Sequence, residues 1–590
     1  MENRSKNSKS PEDEKDILDF DAETDVDSVT LEQLMDKIEK SASINKPEDV
    51  VSTEFDEEFE QVQRKSIKSA IQKFEDAKIP ALPDLNDSAN LNHIVLVELP
   101  ATSDSPPKPH ANPRLEFEKF TPPILSHFPE LPWGNSAVAS SRSKDKSDPN
   151  EYWSNVVKSI DNFISLDESK IKIGDVVEFI RKILRNESDK RFYALEKFFG
   201  QTPEEEQTKI VRTIKGIAQL VKRGPELFPK SIPMLKQVSK YKVRQFYPET
   251  QILDCNVTMS QEQCAVLLAN AFFGTFSQSK RENNYNRLSF VGIFCGTHKQ
   301  TISKLHFTFE YFSRVLESMP TGVVSFRRIS YGRTITSKRR KQLCNDKISD
   351  CTLSVSSTEK IEEFDSHRHM DFSNSYIGGG VLGPMGSAQE EIRFLTCPEM
   401  IVSCLICERM SEYEAIEIIG AQTFSSYTGY GHTLKFEPNP KYGSEDRDSN
   451  GRICSYMLAI DATSQGRTFY KQYLQNSIRR ELRKCFVGYE SGQPNLILRL
   501  PIATGNWGCG AFRGDPQLKF LIQLLVAAIL KIPLSYSTFG DPKLAGQVQN
   551  VYRKLSDRNT TTQRLYDILM SYNRAVGSRI NPFTHVLNQI

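Results

Sequence analysis

Residues 378–394 read Gly-Gly-Gly-Val-Leu-Gly-Pro-Met-Gly-Ser-Ala-Gln-Glu-Glu-Ile-Arg-Phe, so an eight-residue spacer separates Gly378-Gly379-Gly380 from Gln389-Glu390-Glu391. Three glycines leave the backbone without β-carbons, which permits positive φ and close passage beside a bulky, phosphate-bearing ligand. Two adjacent carboxylates close the same loop. A loop of this kind is suited to act on a ligand as well as to hold it. Taken alone, a glycine cluster is usually a turn, and a Glu-Glu pair an exposed surface turn. Its meaning rests on what surrounds it.

Working outward, short apolar strands are expected at 323–326, 416–419, 456–460, 496–498 and 534–536, alternating with helices such as 517–531. That alternation predicts a layered α/β sandwich. In such sheets ligands bind beyond the carboxyl ends of strands, where glycine-rich loops meet helix N-termini. Residues 149–255 place apolar side chains at helical spacing, as in Trp153, Val156, Val157 and Ile160, or Ile210, Ile214, Ile217, Leu220 and Val221. Pro203 with Glu204, Glu205 and Glu206 suits a helix start, and Gly224-Pro225 an end. This stretch is expected to be an all-α accessory domain without chemistry of its own, and 256–590 the catalytic domain.

Residues 1–148 read as a disordered acidic, then Pro- and Ser-rich, regulatory region. Two amphipathic pieces lie within it: Leu31, Leu34, Met35 and Ile38, then Phe59, Ile67, Ala70, Ile71 and Phe74. Either is a transient helix or a partner-docking one. The net charge of +1 conceals an asymmetry. Residues 1–60 carry 20 Asp+Glu against 7 Lys+Arg, leaving 69 Lys+Arg against 55 Asp+Glu in 61–590. A basic body suits a polyanionic substrate, although such an excess over so long a chain is also unexceptional.

The eleven cysteines are scattered, and the first sixteen residues lack the apolar core of a secretory signal. No apolar run of eighteen residues occurs, so no membrane span is expected. Cys404-Leu405-Ile406-Cys407 has zinc-like spacing without a second pair, and reads as small hydrophobes in an apolar helical run. No metal and no cofactor is expected. Lys338-Arg339-Arg340-Lys341 is equally compatible with an import signal, a polyanion contact or a solvated loop. No P-loop lysine pattern is present.

The triple-glycine and Gln-Glu-Glu pattern resembles the signature of the poly(ADP-ribose) glycohydrolases. Further blocks follow in the family's order: Thr258-Met259-Ser260-Gln261-Glu262-Gln263 with 267–273, Pro320-Thr321-Gly322, Met370-Asp371-Phe372-Ser373-Asn374, Tyr427-Thr428-Gly429-Tyr430, residues 503–512, and Thr538-Phe539-Gly540-Asp541. The resemblance covers roughly the C-terminal 330 residues. It refines the expected fold to a macrodomain-like three-layer α/β/α sandwich with a helical accessory domain.

It also implies hydrolysis of ribose–ribose O-glycosidic bonds, mainly from chain ends, through an oxocarbenium-like transition state. Glu391 would be the general acid and then base, Glu390 would orient the ribose hydroxyls, and Asp371 would hold the sugar, with Asn374 hydrogen-bonding nearby. Gly378, Gly379, Gly380 and Gln389 would line the ligand. Asn506, Cys509, Gly510, Ala511 and Phe512 would take the diphosphate, where consecutive N–H groups can form an anion nest. Tyr430 and Phe539 would flank the ADP-ribose, and Ile361 and Glu362 would read the adenine edge. The chain departs from the pattern at Arg513, where a small residue is expected, and at Gly431-His432, where Ala-Glu is expected. Arg513 either reaches the groove or is an ordinary surface residue. The partner implied is poly(ADP-ribose) attached to proteins, with no membrane and no required nucleic-acid contact. The chain is expected to be monomeric, nuclear or cytoplasmic, and part of the DNA damage response, with protein partners for its tail. The rival readings are a non-catalytic ADP-ribose-binding macrodomain and an α/β enzyme for a different nucleotide sugar or carbohydrate.

Overall fold

The computed structural model describes residues 63–72 (save 70), 93–113 (save 100 and 103), 131–133, 149–184, 190–238, 252–276, 284–331, 345–490 (save 467), 500–572 and 580–590. Strands are β1 His93–Val95, β2 Ile252–Ser260, β3 Val323–Tyr331, β4 Leu353–Ser356, β5 Arg368–Ser373, β6 Glu414–Ile419, β7 Ser425–Thr428, β8 Lys435–Pro438, β9 Tyr456–Asp461, β10 Ile502–Gly505 and β11 Leu534–Ser537. The helices that matter below are α1 Pro149–Ser165, α2 Ile173–Ile183, α3 Tyr193–Gln201, α4 Glu204–Lys222, α5 Gln261–Phe272, α6 Lys299–Glu317, α7 Gln389–Thr396, α8 Gln475–Glu490 and α9 Pro516–Leu530. The chain forms two compact units, a central one of Lys78–Ser330 with Arg368–Ala462, and a second of Met1–Ala77, Tyr331–His367 and Thr463–Ile590.

In the central unit the strand order is β1-β2-β3-β6-β9-β5. β1 runs parallel to β2 and β5 to β9, whereas β6 is antiparallel to both β3 and β9. All nine residues of β3 are buried, including Arg327 and Arg328. Buried charges must be paired, and they are. Arg327 binds Asp254 on β2 and Glu417 Oε2 at 2.6 Å on β6. Arg368 on β5 takes the other Glu417 oxygen at 2.6 Å, and Arg328 pairs with Glu414 at 2.9 Å.

Every residue of α5 is buried. Ser260 caps it: its hydroxyl accepts from Gln263 N at 3.0 Å while Gln263 Oε1 accepts from Ser260 N at 2.9 Å, a reciprocal box that satisfies two helix-end donors. The accessory helices share this core. Phe198 of α3 stacks on Phe309 of α6 with centroids 5.2 Å apart, and Phe179 of α2 meets Phe273 edge-on at 5.3 Å. The expected boundary at 255/256 is therefore no division in the packing. The apolar stripes of α1 to α4 close against α5 and α6 as well as on one another, as where Phe163 of α1 stacks on Phe179 of α2 with centroids 4.0 Å apart.

In the second unit β10, β11 and β4 form a parallel set in that order. Its helix α9 is apolar nearly all round, and Asp515 caps it through Gln517 N at 2.8 Å. Two parts of 1–148 correct the expectation of disorder. β1 pairs with β2, its Ile94 fully buried, because the His93-Ile94-Val95-Leu96-Val97 run is a strand embedded in a polar, Pro-rich context. Residues 63–69 are helical and bury Ile67, and Gln63 Oε1 accepts from Leu353 N on β4 at 3.2 Å. Ile67 thus packs within its own chain. The 31–38 piece, Phe59, Ala70, Phe74, the 338–341 run and the strand expected at 496–498 lie outside the described residues. No described helix is long and apolar enough to cross a membrane.

Candidate active site

The site in the central unit is assembled by β5, the loop after it and the first turn of α7. Gln389 ties these parts together. Its Oε1 accepts from Phe372 N at 2.9 Å and its Nε2 donates to Met370 O at 3.1 Å. It therefore positions α7 on β5, a different task from the ligand contact expected of it. The next residue, Glu390, accepts from Ser373 Oγ at 2.8 Å, Gly378 N at 2.7 Å and Asn374 N at 2.9 Å. Glu391 Oε1 accepts from Gly380 N and its Oε2 from Ala388 N, both at 2.9 Å. The two acids thus serve as local acceptors for a loop whose donors would otherwise be orphaned.

Glycine is required here for a reason other than the expected one. Gly378 and Gly379 have φ of +88° and +49°, a region costly to side chains. A β-carbon on Gly379 would lie 2.5 Å from Glu390 Oε2 and 2.6 Å from Glu391 Oε1, and one on Gly378 2.5 Å from Cys404 Sγ. The space freed by the missing side chains is filled by the protein's own carboxylates and a thiol, not left for a phosphate. Cys404 is fully buried and donates to Ile377 O at 3.3 Å, the small hydrophobe beneath the loop.

Burial grades the three acids. Asp371 is 0 % exposed, Glu390 4 % and Glu391 9 %. Neither Asp371 oxygen has a hydrogen-bond partner among the described residues, so burial and then the Glu391 charge push its carboxyl up to about 8. Burial and the charges of Asp371 and Glu391 likewise raise Glu390 well above the carboxylate range. The Asp371 side chain is fully enclosed in this structure. Its influence on Glu391 is electrostatic. Asn374 Oδ1 accepts from Tyr376 N at 3.0 Å, shaping the turn into the glycines.

Tyr430 stands at the rim, 38 % exposed. Gly431 N donates to Ser387 O at 3.0 Å, which ties the tyrosine's turn to the residue pair preceding Gln389. Burial raises the phenol, a hydrogen bond from the Gln389 backbone lowers it, and the Glu391 charge raises it. The ring therefore adjoins the most exposed acid.

Two residues of this site escaped the sequence reading. Lys304 of α6 is fully buried, and its Nζ donates to the carbonyls of Gly380 at 3.0 Å, Val381 at 2.9 Å, Gly383 at 2.9 Å and Met385 at 3.0 Å. Asn286 Nδ2 donates to Ile377 O at 3.0 Å and Gly379 O at 2.9 Å. A signal existed for the lysine: it lies on the helix face of Thr301, Leu305, Thr308 and Phe312, where charge is out of place.

The second unit gathers the remaining expected residues at the carboxyl ends of β10, β11 and β4. Asn506 Nδ2 donates to Thr538 O at 3.2 Å and its Oδ1 accepts from Tyr536 Oη at 3.1 Å. Ser537 Oγ donates to Glu359 O at 2.6 Å, and Gly540 N to Ser357 O at 2.7 Å. Asn506, Phe539 and the Ile361-Glu362 turn are thereby linked. Phe539 is 59 % exposed at φ +54°, a strained backbone holding an apolar ring in solvent. In the 505–514 turn, Gly514 N donates to Gly508 O at 2.8 Å and Arg513 N to Gly510 O at 3.0 Å, while the N–H groups of Gly510, Ala511 and Phe512 donate to no described residue. Burial pushes the Cys509 thiol up to about 12, which disfavours a thiolate nucleophile. Arg513 has φ +59°, which explains the small residue expected there, and its guanidinium donates to Gly466 O at 3.4 Å. No group of three or more His, Cys, Asp and Glu suited to a metal occurs among the described residues.

Residues 337–546 match the family model described as "Poly (ADP-ribose) glycohydrolase (PARG), Macro domain fold", and residues 201–328 the companion model described as "helical domain". The chain is 38 % identical over 331 residues to "Poly(ADP-ribose) glycohydrolase 1" of Caenorhabditis elegans, covering 53 % of this chain and 40 % of that one. To "Poly(ADP-ribose) glycohydrolase 2" of the same organism it is 37 % identical over 329 residues, covering 54 % and 64 %. To "Probable poly(ADP-ribose) glycohydrolase 2" of Arabidopsis thaliana it is 30 % identical over 371 residues, covering 55 % and 70 %. The chain thus spans less than two thirds of either nematode relative. With the acids, glycines and helical layer placed as described, the chain belongs to the poly(ADP-ribose) glycohydrolase family.

Proposed function

We propose that this chain is a glycosidase that hydrolyses the ribose–ribose O-glycosidic bonds of poly(ADP-ribose), mainly from chain ends, and releases ADP-ribose. The observation that carries the reading is the setting of Glu391: the most exposed of three clustered acids, held by one N–H on each oxygen and flanked by Tyr430. Glu391 gives its proton to the leaving ribose oxygen as the anomeric C–O bond breaks. The resulting carboxylate, still accepting from Gly380 and Ala388, then takes a proton from the water whose oxygen bonds to the anomeric carbon. Burial and the Glu391 charge raise the Asp371 carboxyl, which disfavours a second negative charge beside that carboxylate. Glu390 holds the loop.

The unengaged N–H groups of the 508–512 turn favour a diphosphate-bearing ligand over a plain sugar, and the exposed Phe539 ring suits a base. Intact acids favour hydrolysis over binding alone. The test is release of ADP-ribose from purified poly(ADP-ribose) by wild type and Glu391→Gln, with ADP-ribose binding measured in parallel. A loss of about 10²–10⁴-fold with binding retained is expected. Binding without turnover by the wild type would make the protein a reader instead.

A nuclear or cytoplasmic location, a role in the DNA damage response, a monomeric state and tail-dependent protein partners are proposed alongside. Imaging of the tagged full chain before and after DNA breakage addresses the first two.

A further inference from the structure

Lys304 has no counterpart among the acids and aromatics assigned above, and it acts on the same loop from the helical side. Four carbonyl oxygens lie within 3.0 Å of its Nζ, one more than an ammonium has protons to donate. No solvent reaches it. Two of those carbonyls belong to the chain immediately around the donors that hold Glu391. Gly380 offers its C=O to Lys304 and its N–H to Glu391 Oε1. Met385, whose C=O is also taken, leads through two residues to Ala388, whose N–H holds Glu391 Oε2.

We infer that Lys304 is a positioning residue for the hydrolysis proposed above, on which reading this inference rests: its ammonium sets the 380–388 turn so that both N–H groups stay aimed at Glu391. Glu391 is also the charge that favours the ammonium, against a burial that pulls it down to about 8. The pairing is therefore mutual. The lysine fixes the acid's donors, and whenever Glu391 is ionised its charge helps keep the lysine protonated. No contact of Lys304 with substrate is involved.

Two variants separate positioning from packing. Lys304→Met keeps an apolar stem and loses every donor; Lys304→Gln is shorter but retains two N–H donors. Steady-state release of ADP-ribose from poly(ADP-ribose) is measured for both beside wild type, with thermal unfolding of each. The expected result is a kcat about 10–100-fold down in Lys304→Met, since small misplacements of a reacting group cost this much. KM should move less than about 3-fold, and Lys304→Gln should recover part of the lost kcat. If Lys304→Met matches or exceeds Lys304→Gln, the side chain serves packing and the inference falls. It falls equally if both variants keep wild-type kcat, or if neither folds, which would make the lysine a general stabiliser. An inactive wild type would sink the hydrolytic reading and this inference with it, whereas an active wild type with unimpaired variants sinks only this one.

Discussion

Two glycine-rich loops of this molecule look alike in sequence and are opposites in structure. In 378–388 the backbone is already engaged: N–H groups of Gly378, Gly380 and Ala388 go to Glu390 and Glu391, and carbonyls go to Lys304 and Asn286. In 505–514 the N–H groups of Gly510, Ala511 and Phe512 reach no described acceptor. The first loop is built to hold two acids close together, the second to offer donors outward. Glycine is needed in one because carboxylates crowd the backbone. In the other it leaves room above it, since a β-carbon on Gly510 would meet nothing within 4 Å.

Alanine at each position tests that contrast most severely. Gly379→Ala sets a β-carbon against both carboxylates at φ +49°. Turnover should fall by at least about 10²-fold and unfolding free energy by about 1–3 kcal/mol. Gly510→Ala, with open space and no left-handed φ, should leave denaturant stability within about 0.5 kcal/mol. Equal losses at both positions would erase the distinction.

A smaller effect concerns how the first loop tolerates its charge. Asp371 is raised from 3.8 to about 8, so the native state keeps a proton that the unfolded chain releases. The stability this confers is complete below pH 4 and is lost as pH rises through about 8. Asp371→Asn removes that dependence. Its melting temperature should fall by at least about 2 °C less than that of wild type between pH 5 and 9. Parallel declines would mean that Asp371 ionises normally in the fold.

The smallest effect lies in the second loop. Arg513→Gly relieves a left-handed residue whose guanidinium makes a long 3.4 Å bond to Gly466 O. It should stabilise the protein by about 1 kcal/mol, read from the denaturant midpoint. Destabilisation would show that the guanidinium contact outweighs the backbone cost.

Much of this was legible from residues alone. The apolar run of α9, the isoleucines of β6 and the apolar run of β9 announce themselves, and the acids stand at a recognisable spacing. β5 did not. Arg368-His369-Met370-Asp371 lacks strand hydropathy, because Arg368 is buried through its ion pair with Glu417, a partner distant in sequence. β1 is three residues long in a Pro-rich surround. Lys304 and Asn286 were missed because their partners are main-chain carbonyls, which every residue carries and no sequence marks. The crowding at Gly378 and Gly379 was illegible for the converse reason: Glu390, Glu391 and Cys404 become their neighbours only after folding.

The ammonium among four carbonyls has a consequence for how the 380–388 turn meets its surroundings. A loop organised by a bound potassium or sodium ion would loosen whenever the ion left, and its shape would follow the salt around it. Here the cation is covalently tethered to α6. Dilution or dialysis cannot remove it. The shape of this turn is thereby insulated from changes in the surrounding salt.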